Sequence, residues 1–192
     1  YDKLTDHAIV VRPARAGEKL LALDGQTYEL NSRNLVIADS KQPIAIAGIM
    51  GGADSAVSPT TKSIVFEAAT FDPMAVRKTA RQLNLYSESS SLFEKRLHTE
   101  GTMIGLLRAI ELTQKICGAT LAAPLFDVSA QAYKPTIIIF DPGLIDRYLG
   151  IKMSVKEMTN ILTLLGFEVT GSKDLRVTVP WWRANDVEHE YD

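Results

Sequence analysis

Between Ala47 and Arg96 the chain sets down four segments in order: a glycine-rich loop, an apolar run broken by one carboxylate, a helix with a marked start, and a serine cluster. The loop, residues 47–52, reads A-G-I-M-G-G, and residues 64–73 read I-V-F-E-A-A-T-F-D-P. Glu67 there constrains the fold more than any other residue. A charge in apolar surroundings is costly unless it is paired or hydrogen-bonded, so the fold must bring this carboxylate a cation or a ligand.

Around this stretch the pattern of apolar residues and turn residues predicts the elements. Residues 7–13, 19–23 and 26–30 read as short strands, with Asp24-Gly25 as a favoured hairpin turn between the last two. Residues 35–38 and 44–49 continue as strands around a polar turn at 39–42, and 64–71 reads as a further strand. Asp72 as N-cap and Pro73 at the first helical position start a helix reaching about Leu83. A longer helix is predicted over 100–116, burying Ile104, Leu107, Ile110, Leu112 and Ile116 and stopped by Gly118. Residues 122–135, with two prolines and no clear period, read as a connection. Beyond it come a strand at 136–140, a helix capped by Asp141-Pro142 and ended by Gly150, and a helix begun by the capping box of Ser154 and Glu157 and closed by Gly166. A hairpin of residues 167–170 and 175–179 follows.

The fold class this implies is α+β. A mixed-sheet domain with packed helices, residues 1–125, precedes a small helix-plus-hairpin domain, residues 126–192. The 192 residues, 46% apolar and 23% charged, suit one large or two small globular domains. A formal charge of -2 gives no global basic signature, so any RNA contact must be local. The lone Cys117 excludes an internal disulfide and a cysteine-based zinc site, and its place at the apolar end of a helix predicts burial. No run approaches the ~18 apolar residues of a membrane span, and no signal-peptide pattern opens the chain, so a cytoplasmic location is expected. The start at Tyr1 without methionine, and the stop inside a charged segment, read as an excised piece of a longer protein.

In this order and spacing the segments resemble the aminoacyl-ester editing domain in the beta subunits of bacterial phenylalanyl-tRNA synthetases. That family's pattern is a G-I-M-G-G loop, an L-E-A-A-x-F-x-P strand end, an I-R-K-T-A-R-x-L-G-L helix, and T-E-x-S-x-R-F-E-R-G. The departures are local: Asn84 stands for a helix-ending glycine, Ser87 for threonine, Leu92 for arginine, and Lys95-Arg96 for Arg-Gly. The second half resembles the small domain that follows in the same family, through Leu149-Gly150, the segment at 161–169, and P-x-x-R-x-x-D-V at 180–187.

The resemblance implies an editing pocket of Ala47, Gly48, Gly51, Glu67, Ser87 and Ser89, with Glu67 accepting the para-hydroxyl of tyrosine misattached to phenylalanine tRNA. A site that hydrogen-bonds a hydroxyl can reject the analogue lacking it by ~10⁴-fold or more. On the residues alone, Glu67 could instead pair with Arg77 or Arg81, and the glycine loop could be a plain tight turn. Bare glycines also leave backbone N–H groups free to face an ester or ribose oxygen. A serine nucleophile would need an adjacent base, and only His98 is near in sequence, so no covalent nucleophile is expected and a positioned water attacks the ester. Ser90 and Ser91 read as helix-capping residues.

By the same resemblance the family's H-A-x-D histidine falls upstream of Tyr1. Asp186 and Asp192 fall where two of four acidic magnesium ligands belong, the other two lying past the last residue. Editing itself needs no cofactor. The intact enzyme is an alpha–beta hetero-oligomer that uses ATP and magnesium to join phenylalanine to its tRNA, at a site in the alpha subunit and not in this chain. Arg183 with Trp181 and Trp182 reads as an anchor on neighbouring structure, or as a nucleic-acid stacking surface. The alternatives to an editing function are a non-catalytic scaffold and a nucleic-acid-binding module.

Overall fold

The computed structural model of the chain describes residues 1–129 and 132–192. Its α+β fold is built in two units, Tyr1–Ala109 and Ile110–Asp192. The division falls within a helix, and of the connection expected at 122–135, residues 130 and 131 lie outside the described residues.

The first unit opens with sheet. Strands β1 (Val10–Pro13), β4 (Leu35–Ala38), β5 (Pro43–Ile46) and β6 (Met50–Gly51) form a sheet in the order β1-β4-β5-β6, and β2 (Lys19–Leu21) and β3 (Thr27–Glu29) form a separate hairpin. The strand pairs are antiparallel throughout the described residues, so the sheet expected to be mixed is not. For β4–β5 and β5–β6 the reason is the length of the connections: parallel neighbours need crossovers of a dozen residues or more, and these turns are far shorter. At the expected hairpin turn, Gly25 takes the left-handed conformation, and Asp24 accepts from the Gln26 N–H and the Tyr28 hydroxyl.

The β2–β3 hairpin is fastened to β6 by the Leu23 N–H on the Gly51 carbonyl and the Ala53 N–H on the Leu21 carbonyl. Across the sheet Leu30, Val36, Ala38 and Ile46 form a core with Val76 and Ala80 of α1 (Pro73–Leu83). As expected, Asp72 caps α1, accepting from Ala75 at 2.7 Å, and Pro73 is its first residue. Asn84 ends it with φ near 49°, so the asparagine takes the role of the glycine the family pattern has there. The fully buried Asn34 ties sheet to helix, donating to Thr79 at 3.3 Å and Gln82 at 3.0 Å. A short helix, α2 (Glu88–Phe93), follows.

Three further features of this unit and of the helix that follows differ from expectation. Residues 64–71 pair with no strand, and Ile64, Val65 and Phe66 remain 41–48% exposed. The run does not alternate apolar with polar residues, so it carries no period to fix it on a sheet face, and sequence alone cannot show that it stays unpaired. The long helix α3 (Glu100–Cys117) forms where predicted but buries none of its residues, and Ile104 and Ile116 are exposed. Its apolar spacing records a face, not what covers it. Cys117, at its end, is exposed rather than buried.

In the second unit β7 (Ile137–Phe140), β8 (Glu168–Thr170) and β9 (Leu175–Thr178) form an antiparallel sheet in the order β7-β9-β8. Helices α4 (Gly143–Leu149) and α5 (Val155–Leu164) follow β7, and Met158, Phe167, Leu175, Val177, Val179 and Val187 make the core. Ser154 and Glu157 close the expected capping box, and Gly150 ends α4 in the left-handed conformation. No helix among the described residues is long and apolar enough to cross a membrane.

Candidate functional site

The glycine loop is a hairpin turn. Its flanks pair as β5 and β6, Ala45 opposite Gly51 and Ile46 opposite Met50. Gly48 at the bend has φ of +70°, and a Cβ there would stand 2.9 Å from Phe71 and 3.1 Å from Val76. Both the backbone conformation and the close approach therefore require glycine. At Gly52 a Cβ would meet the Ile44 carbonyl oxygen at 2.7 Å. The expected row of free donors is only partly there. The N–H groups of Ala47, Ile49 and Gly52 donate to the carbonyls of Leu35, Ile46 and Ile44.

Helix α2 is bolted to this turn by hydroxyls. Ser87 is its N-cap: its oxygen accepts from the Ser90 N–H at 3.0 Å and its proton goes to the Ile49 carbonyl at 2.6 Å. Ser89 donates to the Gly48 carbonyl at 3.1 Å, while Ser90 and Ser91 donate to the Ser87 carbonyl. All four serine hydroxyls thus end on backbone carbonyls, and a hydroxyl so held has no base to take its proton. The His98 Nδ1 accepts from the Glu100 N–H.

Between the turn, α2 and the 64–71 segment lies a pocket of about 290 Å³. Gly48, Gly51, Glu67 and Ser89 line it together, so four of the six expected pocket residues meet at one cavity. Ala47 and Ser87 stand behind its wall: Ala47 is buried, and Ser87 acts through the Ile49 carbonyl. The remaining walls are apolar, among them Leu23, Ile37, Met50 and Phe93. Sequence reading missed these. Phe93 lies one helical turn beyond Ser89 and could have been found from that spacing, whereas Leu23 arrives only through its bond to Gly51.

Among the described residues Glu67 has no ion pair and no side-chain hydrogen bond, and neither Arg77 nor Arg81 pairs with it. Desolvation by the surrounding protein raises its pKa above the ordinary carboxylate value. The residue as a whole is exposed, and it lines the pocket beside apolar side chains. An unpartnered carboxyl, a hydroxyl and otherwise apolar walls suit an aromatic or aliphatic group that ends in one polar donor. A larger depression of about 840 Å³ runs along the polar residues of α5, lined by that helix and its cap, with no comparable convergence of groups.

Asp186 and Asp192 each have partners within the C-terminal segment. The Arg183 Nε donates to Asp186 at 2.9 Å, and Asp192 accepts the N–H groups of Glu188 and His189, bonds that lower its pKa. Among the described residues no group of three or more His, Cys, Asp or Glu side chains could hold a metal ion. Magnesium wants several oxygens in near-octahedral array, and these two carboxylates, each already engaged, do not fit it as they stand. Trp182 packs within its own unit, where a Cβ on Gly166 would stand 2.6 Å from its ring.

Comparison with known proteins finds two families in succession along the chain. The B3/4 domain family model matches residues 1–118, and the tRNA synthetase B5 domain model matches residues 138–192. The whole chain is 43% identical over 192 residues to a phenylalanine–tRNA ligase beta subunit of Carboxydothermus hydrogenoformans and 42% identical over 194 residues to that of Latilactobacillus sakei. Over 185 residues, 96% of the chain, it is 38% identical to that of Moorella thermoacetica. It spans 24% of the length of the first two relatives and 23% of the third.

Proposed function

Because the chain belongs to the B3/4 domain family and carries a tRNA synthetase B5 domain behind it, we infer that it is the editing portion of a phenylalanine–tRNA ligase beta subunit. Residues 1–125 hydrolyse tyrosine wrongly esterified to phenylalanine tRNA, and residues 126–192 form the small domain that follows. The observation that carries this reading is the Glu67 carboxyl, unpartnered at an apolar pocket that it shares with Gly48, Gly51 and Ser89. The tyrosine ring enters the pocket and its hydroxyl donates to Glu67. Phenylalanine gains no such bond and would leave the carboxyl desolvated and unpaired, which is the larger part of the discrimination.

The chemistry follows from what the serines cannot do. With all four hydroxyls held on carbonyls, the attacking group is water, positioned over the ester by the turn, and no covalent intermediate forms. In the complete enzyme an alpha subunit joins phenylalanine to its tRNA using ATP and magnesium. This chain serves that reaction by clearing its errors, in the cytoplasm. Deacylation of tyrosyl-tRNA by the full-length enzyme, with and without Gly51→Trp, tests the reading: loss of hydrolysis with phenylalanylation intact supports it, and unchanged hydrolysis refutes it.

A further inference from the structure

Helix α1 carries Arg77, Lys78 and Arg81 and no acidic residue. All three are exposed, and none has an ion pair or side-chain hydrogen bond among the described residues. Four cations elsewhere are answered by carboxylates: Arg12 by Glu18, Lys115 by Glu111, Arg147 by Asp141 and Arg183 by Asp186. Arg77 and Arg81 stand four apart, so their charges share one helix face. Like charges at that spacing destabilise a helix by roughly 0.2–0.5 kcal/mol, so the fold gains nothing from the arrangement. Through Asn34, the turn that holds the exposed Arg33 is fastened to the same helix. In a chain of net charge -2 this is a local basic face.

Its place ties it to the pocket. The same helix buries Val76, which would stand 3.1 Å from a Cβ on Gly48, and Gly48 lines the pocket. The helix that carries the cations therefore packs directly against the pocket turn. We propose that this face of α1 binds the phosphate backbone of the acceptor strand whose terminal ester enters the pocket, and so sets the affinity for charged tRNA without touching the reaction. The partner follows from charge complementarity. Guanidinium groups without carboxylate partners match phosphate oxygens in geometry and sign, and the contact is independent of base sequence. The proposal rests on the editing reading for the identity of the RNA.

The test uses the full-length beta subunit assembled with its alpha subunit, comparing wild type, the double variant Arg77→Ala with Arg81→Ala, and the double variant Arg77→Lys with Arg81→Lys. For tyrosyl-tRNA the alanine variant is expected to raise KM about tenfold at low salt with kcat unchanged, and to flatten the dependence of log KM on log salt by about one to two. Hydrolysis of 3′-tyrosyl-adenosine, which has no phosphate backbone, stays as in wild type, and the lysine variant stays close to wild type on both substrates. An unchanged KM and salt slope overturns the proposal, as does equal loss on both substrates. So does intact tRNA affinity with weakened subunit assembly, which would mean that the helix docks on protein. If wild type hydrolyses neither substrate, the editing reading fails by itself. Anisotropy titration with uncharged phenylalanine tRNA then decides the surface: weaker binding by the alanine variant supports it, and equal binding overturns it.

Discussion

The Ser87 hydroxyl donates to the Ile49 carbonyl at 2.6 Å while accepting the Ser90 N–H at 3.0 Å. One side chain thus caps α2 and fixes the turn that shapes the pocket. Ser87→Ala loses both bonds and is expected to cost about 1–3 kcal/mol of stability, with reduced deacylation. Ser87→Thr keeps the hydroxyl and should lose far less. Ser90→Ala removes two bonds, both to the Ser87 backbone within the cap, and should leave deacylation within a few-fold of wild type. Denaturant melts of the three variants beside their deacylation rates check this ordering.

Gly48 and Gly51 share the pocket but should respond differently to substitution. Gly48→Ala forces a left-handed residue against Phe71, so it is expected to destabilise the unit by about 1–3 kcal/mol. At Gly51 a Cβ would meet only the Leu23 side chain, at 3.2 Å. Gly51→Trp should therefore leave the melting transition near wild type while filling the pocket and stopping hydrolysis. Melting curves of the two variants separate a glycine that the backbone needs from one that the ligand needs.

Burial alone would push the Asp39 carboxyl up, but the N–H groups of Gln42, Lys41 and Thr5 outweigh it and bring its pKa down to about 2. A depressed carboxylate contributes stability above its ordinary value near 3.8, and that contribution is lost as pH falls through about 2. Asp39→Asn is expected to cost about 1–2 kcal/mol at pH 7, the lower part of the range because the turn lies near the surface. The difference from wild type should shrink steadily from pH 4 toward pH 2 in urea melts.

Glu67 has the opposite sign. Its raised pKa means that the folded state holds a proton which the unfolded chain has already released, so stability falls as pH rises from the ordinary value of 4.5 through the raised one. Above that window the charge is a standing cost, as expected of a group kept for a ligand. Glu67→Gln should therefore be as stable as wild type at pH 4 and more stable at pH 7. Editing by wild type should weaken as pH falls through the raised pKa, because the charged acceptor is lost. Paired melts and deacylation profiles across this range check both halves.

What could be read from sequence was local chemistry. The Asp72-Pro73 start, the Ser154–Glu157 box and the Asp24-Gly25 turn each act through neighbours in the chain and appear as expected. What could not be read depends on partners far along it. Nothing near Asn34 announces its bonds to Thr79 and Gln82, and nothing in residues 64–71 shows that they stay unpaired. Of the six residues that family likeness pointed to, Gly48, Gly51, Glu67 and Ser89 line one cavity. The division of labour between Ser89, at the wall, and Ser87, behind it, needed coordinates.

On the proposed function Glu67 reads the tyrosine hydroxyl. The most direct measurement of this role is the ratio of deacylation rates for tyrosyl-tRNA and phenylalanyl-tRNA on the full-length enzyme, wild type against Glu67→Ala, with phenylalanine activation followed in parallel. Losing one hydrogen bond to a desolvated partner is worth about 1–3 kcal/mol, so the ratio should fall roughly ten- to a hundredfold while activation holds. An unchanged ratio, with the variant folded and activation intact, would remove Glu67 from recognition and contradict the account.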